Sequence, residues 1–518
     1  MKKTTIGMVL LCAILLGSCT KEAEMKNEAL PQNTETTMDA FKPMTFEQTR
    51  ALVGEVLGSD VAERIEPTSR YVRVFFPNVD RLLEEIRKEG LIYSSLPAPG
   101  IEITPVTVQE GRPEPVYTVL EGDAQLPDDV EYEVLAEFFA PGDPQSGLTP
   151  DEALTVEAAM NTTTRVATNW KPSGRVEYRD ELTGEYYPIE GLRVVIFGYS
   201  SSMQMIQETV RTDTDGNFTA TKTYAALPGT ASIQWQDIKW SILSNSSSLA
   251  STGQVIDPNT MPRWNCIISS TKSVSYDYAT AHLVAKYMNK NGYSVTGGTV
   301  QICCLDEAVP SGSDDRFLPD PYDATVMKVL VYCQDKTPLD IMATVLREMG
   351  KAVQWLKINA KNNDYIHYSR VITESWGEFT KWYFLDEYYK ELDALYKLHV
   401  YDDLYSPWYP KPDDLNIQLW YYNPTKSPYD QCRTPMFIDL WDNCNQSELD
   451  ENITTATAKY PVDAVNLKVN ADISDLAAWS VSCKKVEAVE ALSISTVPEQ
   501  SNNIRTLMTL YKELESTL

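Results

Sequence analysis

Five charged residues in the C-terminal half have types and spacing that bear on chemistry. In TVLREMGKAVQW, Thr344–Trp355, Glu348 stands between Arg347 and Lys351, which are four positions apart and share one face of any helix. Glu374 follows 23 residues after Lys351, and Glu378 stands four beyond it, in TESWGEFTKWYF. Carboxylates so placed do general acid–base work or hold metals. The two cations do neither: Arg keeps its proton and has no lone pair to offer, and Lys is an ammonium unless strongly buried. Facing carboxylates, they make charge-assisted hydrogen bonds instead. A solvated helix face carrying two cations accounts for the same pattern.

The element that must position them starts at Thr337-Pro338-Leu339-Asp340: a Thr cap, Pro in the first position and an acid near the cap. Met342, Val345, Leu346, Met349, Val353 and Leu356 then form one apolar face, leaving Arg347 and Lys351 on the other side with Thr344 and Trp355. The arrangement resembles the gluzincin type of zinc peptidase, whose H-E-x-x-H helix supplies two ligands and a later helix a glutamate. TAHLVAKYMNKNGY (Thr280–Tyr293) resembles the helix that precedes the motif in that family, and ATVMKVLVY (Ala324–Tyr332) its edge strand. TPMFIDLWDNCNQ (Thr434–Gln446) is similar to a helix of Bacteroidetes lipoproteins of this architecture, and the likeness runs from about Ser273 to Leu518.

The resemblance implies that Arg347 and Lys351 occupy the two histidine positions and Glu374 that of the third ligand. Glu348 then stands where the family activates zinc-bound water. Glu378 stands where an acid orients a metal-binding histidine. Both histidines are missing, so zinc is expected to be absent and hydrolysis by the usual route lost. The chain has three histidines, His282, His367 and His399, none four apart from another. His367 falls between the two helices and reads as a polar loop residue. Two cations brought to two carboxylates replace the charge that zinc would bring, with a guanidinium–carboxylate pair across the former metal position.

Residues 45–170 read as an N-terminal α+β domain, an α/β unit opened by the amphipathic helix FEQTRALVGEVLG, the strand Tyr71–Phe76 and a second helix in VDRLLEEIRKEG. Residues 171–260 carry short strands with turns every eight to twelve residues, the pattern of a small β-sandwich. G-x-V-x-x-x-D, G-L-R-V-x-V and T-D-x-D-G-N-F there resemble the transthyretin-like or carboxypeptidase-regulatory-like module of exported Bacteroidetes proteins. Asp213 and Asp215 read as turn residues, because the acidic loop of an EF-hand is absent. Ser244–Gln254 has the composition of a linker, and residues 261–518 turn helical and aromatic. The expected fold class is multi-domain α+β: an N-terminal α/β unit, a small β-sandwich and a C-terminal, mainly helical, zincin-like domain.

At the start, Lys2 and Lys3 precede an apolar run, Ile6–Leu16, too short to span a membrane comfortably, and then Leu16-Gly17-Ser18-Cys19. This resembles a bacterial lipoprotein signal, with residues 1–18 cleaved, Cys19 acylated and residues 19–44 a polar tether. An ordinary secretory signal with a chance cysteine is the alternative. Thr20-Lys21-Glu22-Ala23-Glu24 resembles the signal that carries Bacteroidetes lipoproteins to the cell surface. The implied location is the outer membrane, held by the lipid on Cys19.

The chain has 518 residues and a formal net charge of −28, which argues against nucleic acid and anionic membranes as partners. Besides Cys12 and Cys19 there are seven cysteines, an odd number with no C-x-x-C pair, so a cysteine zinc site has no support. Three functions compete: an inactive peptidase-like protein binding a peptide in the former cleft or serving as a scaffold; an active hydrolase with a non-standard site; and a glycan-binding protein. The last rests on HVYDDLYSPWYPKPDDLNIQLWYYNP (His399–Pro424), where Trp408, Tyr409, Trp420, Tyr421 and Tyr422 stand beside Asp and Asn. Aromatic side chains in such density also build cores.

Overall fold

The chain begins its described structure where local sequence rules are strongest. The computed structural model describes residues 43–517 apart from 89, 110, 165–168, 202–203, 246, 270–272, 296–297, 311–315, 320–325, 335, 363–366, 395–435 and 442–472. Helix α1 (Phe46–Leu57) opens with a capping box between Thr45 and Gln48 and stops at Gly58, whose φ is 99°. After α2 (Ser59–Arg64) come β1 (Ser69–Phe75) and α3 (Val79–Arg87), the latter capped by Asn78 Oδ1 accepting from Arg81 N–H at 2.9 Å. β2 (Val116–Glu121) and β3 (Glu131–Phe138) flank β1, both antiparallel, and α4 (Pro150–Thr164) follows. Among the described residues all pairings of this unit are antiparallel, as in an α+β unit and without the parallel crossover that an α/β unit requires.

Strands β4 (Ser173–Arg179), β5 (Tyr186–Pro188), β6 (Arg193–Tyr199), β7 (Met205–Arg211), β8 (Asn217–Thr219) and β9 (Gly229–Gln234) follow. β10 (Trp240–Leu243), β11 (Ser251–Ile256) and β12 (Arg263–Ile268) complete the run. One sheet has the order β11-β9-β6-β7 and another β12-β4-β5, with β8 also on β4. β6 explains why its sequence, RVVIFGY, is an unbroken apolar run rather than an alternation. Val194 and Ile196 join a core with Val176, Tyr178, Ala231 and Ile233, whereas Val195, Phe197 and Tyr199 join another with Tyr71, Tyr117 and Val119. Both faces of the strand are covered, so both must be apolar.

Asp213 forms a turn: its carboxylate accepts from the amides of Asp215 at 2.9 Å and Asn217 at 2.8 Å, and Gly216 follows at φ 75°. The polar stretch Ser244–Gln254 differs from the linker expected from its composition. Asn245 Oδ1 accepts from the amides of Ser247 and Ser248, both at 2.7 Å, and Ser251–Gln254 pair with β9. Small polar residues here make a tight turn and a strand.

The sheets on either side of residue 260 also exchange strands. β10 runs parallel to β13 (Thr299–Leu305), and β12 returns to run parallel to β4. After α5 (Val274–Lys290), a fourth sheet is completed by β14 (Arg316–Pro319) and β15 (Val326–Tyr332) in the order β10-β13-β15-β14, with only β14 antiparallel. The rest is helical: α6 (Pro338–Asn362), α7 (Arg370–Glu391), α8 (Met436–Trp441), α9 (Ile473–Ser482), α10 (Val486–Thr496) and α11 (Ser501–Thr517). The protein is thus mixed α+β with a helical C-terminal region. One buried apolar cluster runs from Val176 to Tyr511, and Tyr389 on α7 donates to Asp180 Oδ2, just beyond β4, at 3.1 Å. Among the described residues, no helix is long and apolar enough to cross a membrane.

Candidate functional site

Helix α6 begins as its sequence predicts. Thr337 Oγ1 accepts from Asp340 N–H at 3.2 Å, and Thr337 N–H donates back to Asp340 Oδ2 at 3.2 Å. Its predicted apolar face is buried throughout: Met342, Val345, Leu346, Met349, Val353 and Leu356 all lie in the core. The opposite face is not solvated. Arg347 is 8% exposed, Lys351 6%, Glu348 0% and Trp355 9%, because α7 lies along that side.

Glycine on each helix makes the approach close. A Cβ on Gly350 would stand 2.0 Å from Thr380 Oγ1, and one on Gly377 would stand 3.1 Å from Lys351 Cγ and 3.2 Å from Arg347 Cγ. Gly377 thus leaves room for the stems of Arg347 and Lys351, whereas Gly350 leaves room for Thr380. Thr380 Oγ1 donates to Gly377 O at 2.8 Å. On another side, Tyr293 donates to Gly350 O at 3.1 Å and itself accepts from Trp376 Nε1.

Within this contact the structure brings Arg347, Glu348, Lys351, Glu374 and Glu378 together. Arg347 Nη2 donates to Glu374 Oε2 at 3.2 Å, and Lys351 Nζ donates to both oxygens of Glu374 at 3.3 and 3.1 Å. Lys351 Nζ also lies 2.8 Å from Glu348 Oε2, which accepts from the Phe317 amide at 2.8 Å. Arg347 Nη1 is 3.5 Å from Glu348 Oε1, and Arg347 Nε is 3.1 Å from Glu378 Oε1 without the alignment of a hydrogen bond. Lys381 completes the set by pairing with Glu378. Three cations therefore face three carboxylates, and their side chains are at most 15% exposed.

Such a lattice balances charge but offers no ligand set. Glu374 and Glu348 are engaged by cations that have no lone pairs for a metal. Among the described residues, no group of three or more His, Cys, Asp or Glu side chains is arranged to hold a metal ion. The residues present do not fit zinc at this position. Nor does Glu348 reach solvent, as a general base acting on water must.

Two participants escaped the sequence reading. Lys381 stands three beyond Glu378, a spacing that signals a pair once α7 is recognised. Phe317 belongs to β14, whose sequence RFLP is too short and too close to proline to read as a strand. The edge strand of the β10-β13-β15-β14 sheet is this β14; β15, expected there, is interior because β14 covers its open side.

His282 is buried in the core on α5, its Nδ1 accepting from Trp240 Nε1 at 3.3 Å. Burial pushes its pKa down to about 3, so the imidazole is neutral at ordinary pH. His367 is exposed just before α7. Cys266, Cys303, Cys304, Cys333 and Cys483 are buried and form no disulfide among the described residues. Cys19, where the sequence leads one to expect a lipid anchor, the aromatic candidates Trp408, Tyr409, Trp420, Tyr421 and Tyr422, His399, Cys432 and Cys444 lie outside the described residues. No family model matches this chain, and neither a curated protein nor a solved structure matches it.

Proposed function

We propose that the protein is an exported, lipid-anchored binding or scaffold protein with a zincin-like C-terminal region, in which the positions of a zinc site serve structure instead of catalysis. The observation that carries this reading is the convergence of Arg347, Lys351 and Glu374 beside Glu348 across two packed helices. In the gluzincin arrangement those positions hold zinc, its third ligand and the general base. Here a guanidinium and an ammonium supply positive charge that cannot bind a metal or lower the pKa of a bound water. The lattice holds α6 to α7 and leaves the acids paired. The β-sheet region before it is read as the transthyretin-like module. The tether is read from Leu16-Gly17-Ser18-Cys19, and surface display from the acid-rich residues after it.

One experiment with two arms tests this. In the first, metal content and peptidase activity are measured for the purified chain and for the variant carrying Arg347→His with Lys351→His. The natural chain should hold no stoichiometric zinc and show no activity that a chelator abolishes; the double variant should gain zinc affinity. Chelator-sensitive peptidase activity in the natural chain would sink the reading. In the second arm, Cys19→Ala should move the protein out of the membrane fraction, and unchanged attachment would remove the lipid anchor from the proposal.

A further inference from the structure

Two cysteines far apart in sequence meet on one face of the β10-β13-β15-β14 sheet. Cys304 lies on β13 in register with Val331 of β15, so their side chains leave the sheet on the same side. Cys333 stands two residues beyond Val331 and returns to that side, its N–H still donating to Leu305 O at 2.7 Å. The Cys333 Sγ turns back along the chain to Val331 O at 3.5 Å, which carries it toward the level of Cys304. Tyr278 of α5 lies near both thiols.

Cys303 is kept out of this pair by the alternation of the strand. It packs on the opposite face with Val79 and Leu83 of α3 and Leu243 of β10. Cys304 and Cys333 belong to the main core and are 2% and 5% exposed. The neighbouring Cys333 thiol, ahead of burial, pushes the Cys304 pKa well up, so in the folded chain Cys304 is a thiol rather than the thiolate that exchanges. Chemistry between the two therefore belongs to the folding chain, before the core closes over them.

We propose that Cys304 and Cys333 form a disulfide as the chain folds, by exchange with a disulfide-bearing oxidant. One cysteine's thiolate attacks a sulfur of the oxidant's disulfide; a mixed disulfide forms and the oxidant's other sulfur leaves as a thiolate that takes up a proton. The second cysteine's thiolate then attacks the protein sulfur of the mixed disulfide and expels the oxidant's remaining sulfur, which is protonated in turn. The chain's two thiols lose two electrons and two protons, and the oxidant gains both to become two thiols. The bond ties β13 to the end of β15 and closes a loop that contains β14, whose Phe317 amide donates to Glu348. The pairing does not rest on how the lattice between α6 and α7 is read; export bears only on where such an oxidant is met.

Oxidative refolding tests the proposal. The full chain is unfolded in denaturant, refolded with glutathione disulfide and glutathione, alkylated, digested with trypsin and weighed by mass spectrometry. Residues 291–316, which hold Cys304, should appear joined to residues 329–336, which hold Cys333, and reductant should separate them. Cys303→Ser should keep the link, whereas Cys304→Ser and Cys333→Ser should lose it. Reductant should lower the unfolding midpoint of the refolded natural chain by more than it lowers that of Cys304→Ser. Full alkylation of Cys304 and Cys333 in the refolded natural chain, or a link from Cys333 to Cys303 or another cysteine, would overturn the proposal. Because the oxidant is supplied, neither result depends on the outcome of the Cys19→Ala experiment.

Discussion

The two charged regions of α7 solve opposite problems. Along α7 from Glu374 to Lys381, three cations meet three carboxylates in a closed contact, and solvent barely reaches them. At its start, cations outnumber acids around an open cleft, and Arg370, Lys484 and Lys485 are exposed. Burial makes the first region expensive to unbalance, because a charge left alone in the interior has neither water nor a partner. Exposure makes the second cheap to alter, since water and salt screen each change. Charge that is closed and neutral belongs to the packing of the helices, whereas charge that is open to water is screened by it.

The largest expected effect breaks the closed lattice. Glu374→Gln leaves Arg347 and Lys351 without the carboxylate they share, and should destabilise the fold by about 3–5 kcal/mol in denaturant unfolding. A loss under about 1 kcal/mol would mean that solvent reaches the cations freely. Gly350→Ala acts on the packing that makes the lattice possible. Its Cβ would meet Thr380 Oγ1 at 2.0 Å, so either Thr380 turns away or the helices separate, at a cost of about 1–3 kcal/mol. Unchanged stability would show that Thr380 yields without disturbing the contact.

The smallest effect sharpens the contrast from the other side. Lys485→Ser gives α10 a proper N-cap and removes a cation from the positive end of its dipole. It should stabilise the chain by about 0.5–1 kcal/mol in the same unfolding measurement. Destabilisation would place Lys485 in the structural class with Lys351.

Much of the site is legible in the sequence. The Thr337–Asp340 cap, the apolar stripe of α6 and the one-turn spacing of Arg347 and Lys351 are local properties, and local rules act within a few residues along the chain. The placement of Glu374 on a second helix came from the family resemblance rather than from periodicity. What that periodicity could not decide was the fate of the second face of α6. A stripe of six apolar residues predicts one covered side, and whether the charged side meets water or α7 depends on a helix that begins eight residues after α6 ends. Gly350 and Gly377 are the local trace of that contact, but a glycine in a helix states only that something is close, never what.

Strand pairing shows the same division. RVVIFGY falls in the stretch read as short strands, and β6 is one, but that both its faces are covered is seen only in the structure. By contrast, β10 and β12 pair across the expected boundary near residue 260, and β14 supplies the Phe317 amide to Glu348 from a four-residue strand. Strand partners are chosen by hydrogen bonds between distant segments, which leave no periodic mark in either one. By itself, then, the sequence determined helices such as α1, α3 and α6, the cap that starts α6, and the chemistry that Arg347 and Lys351 cannot perform, because these follow from side-chain types and short-range spacing. Only the tertiary structure decided that the same two cations are buried and balanced while those at the start of α7 face solvent, because burial is set by which distant segment covers a face.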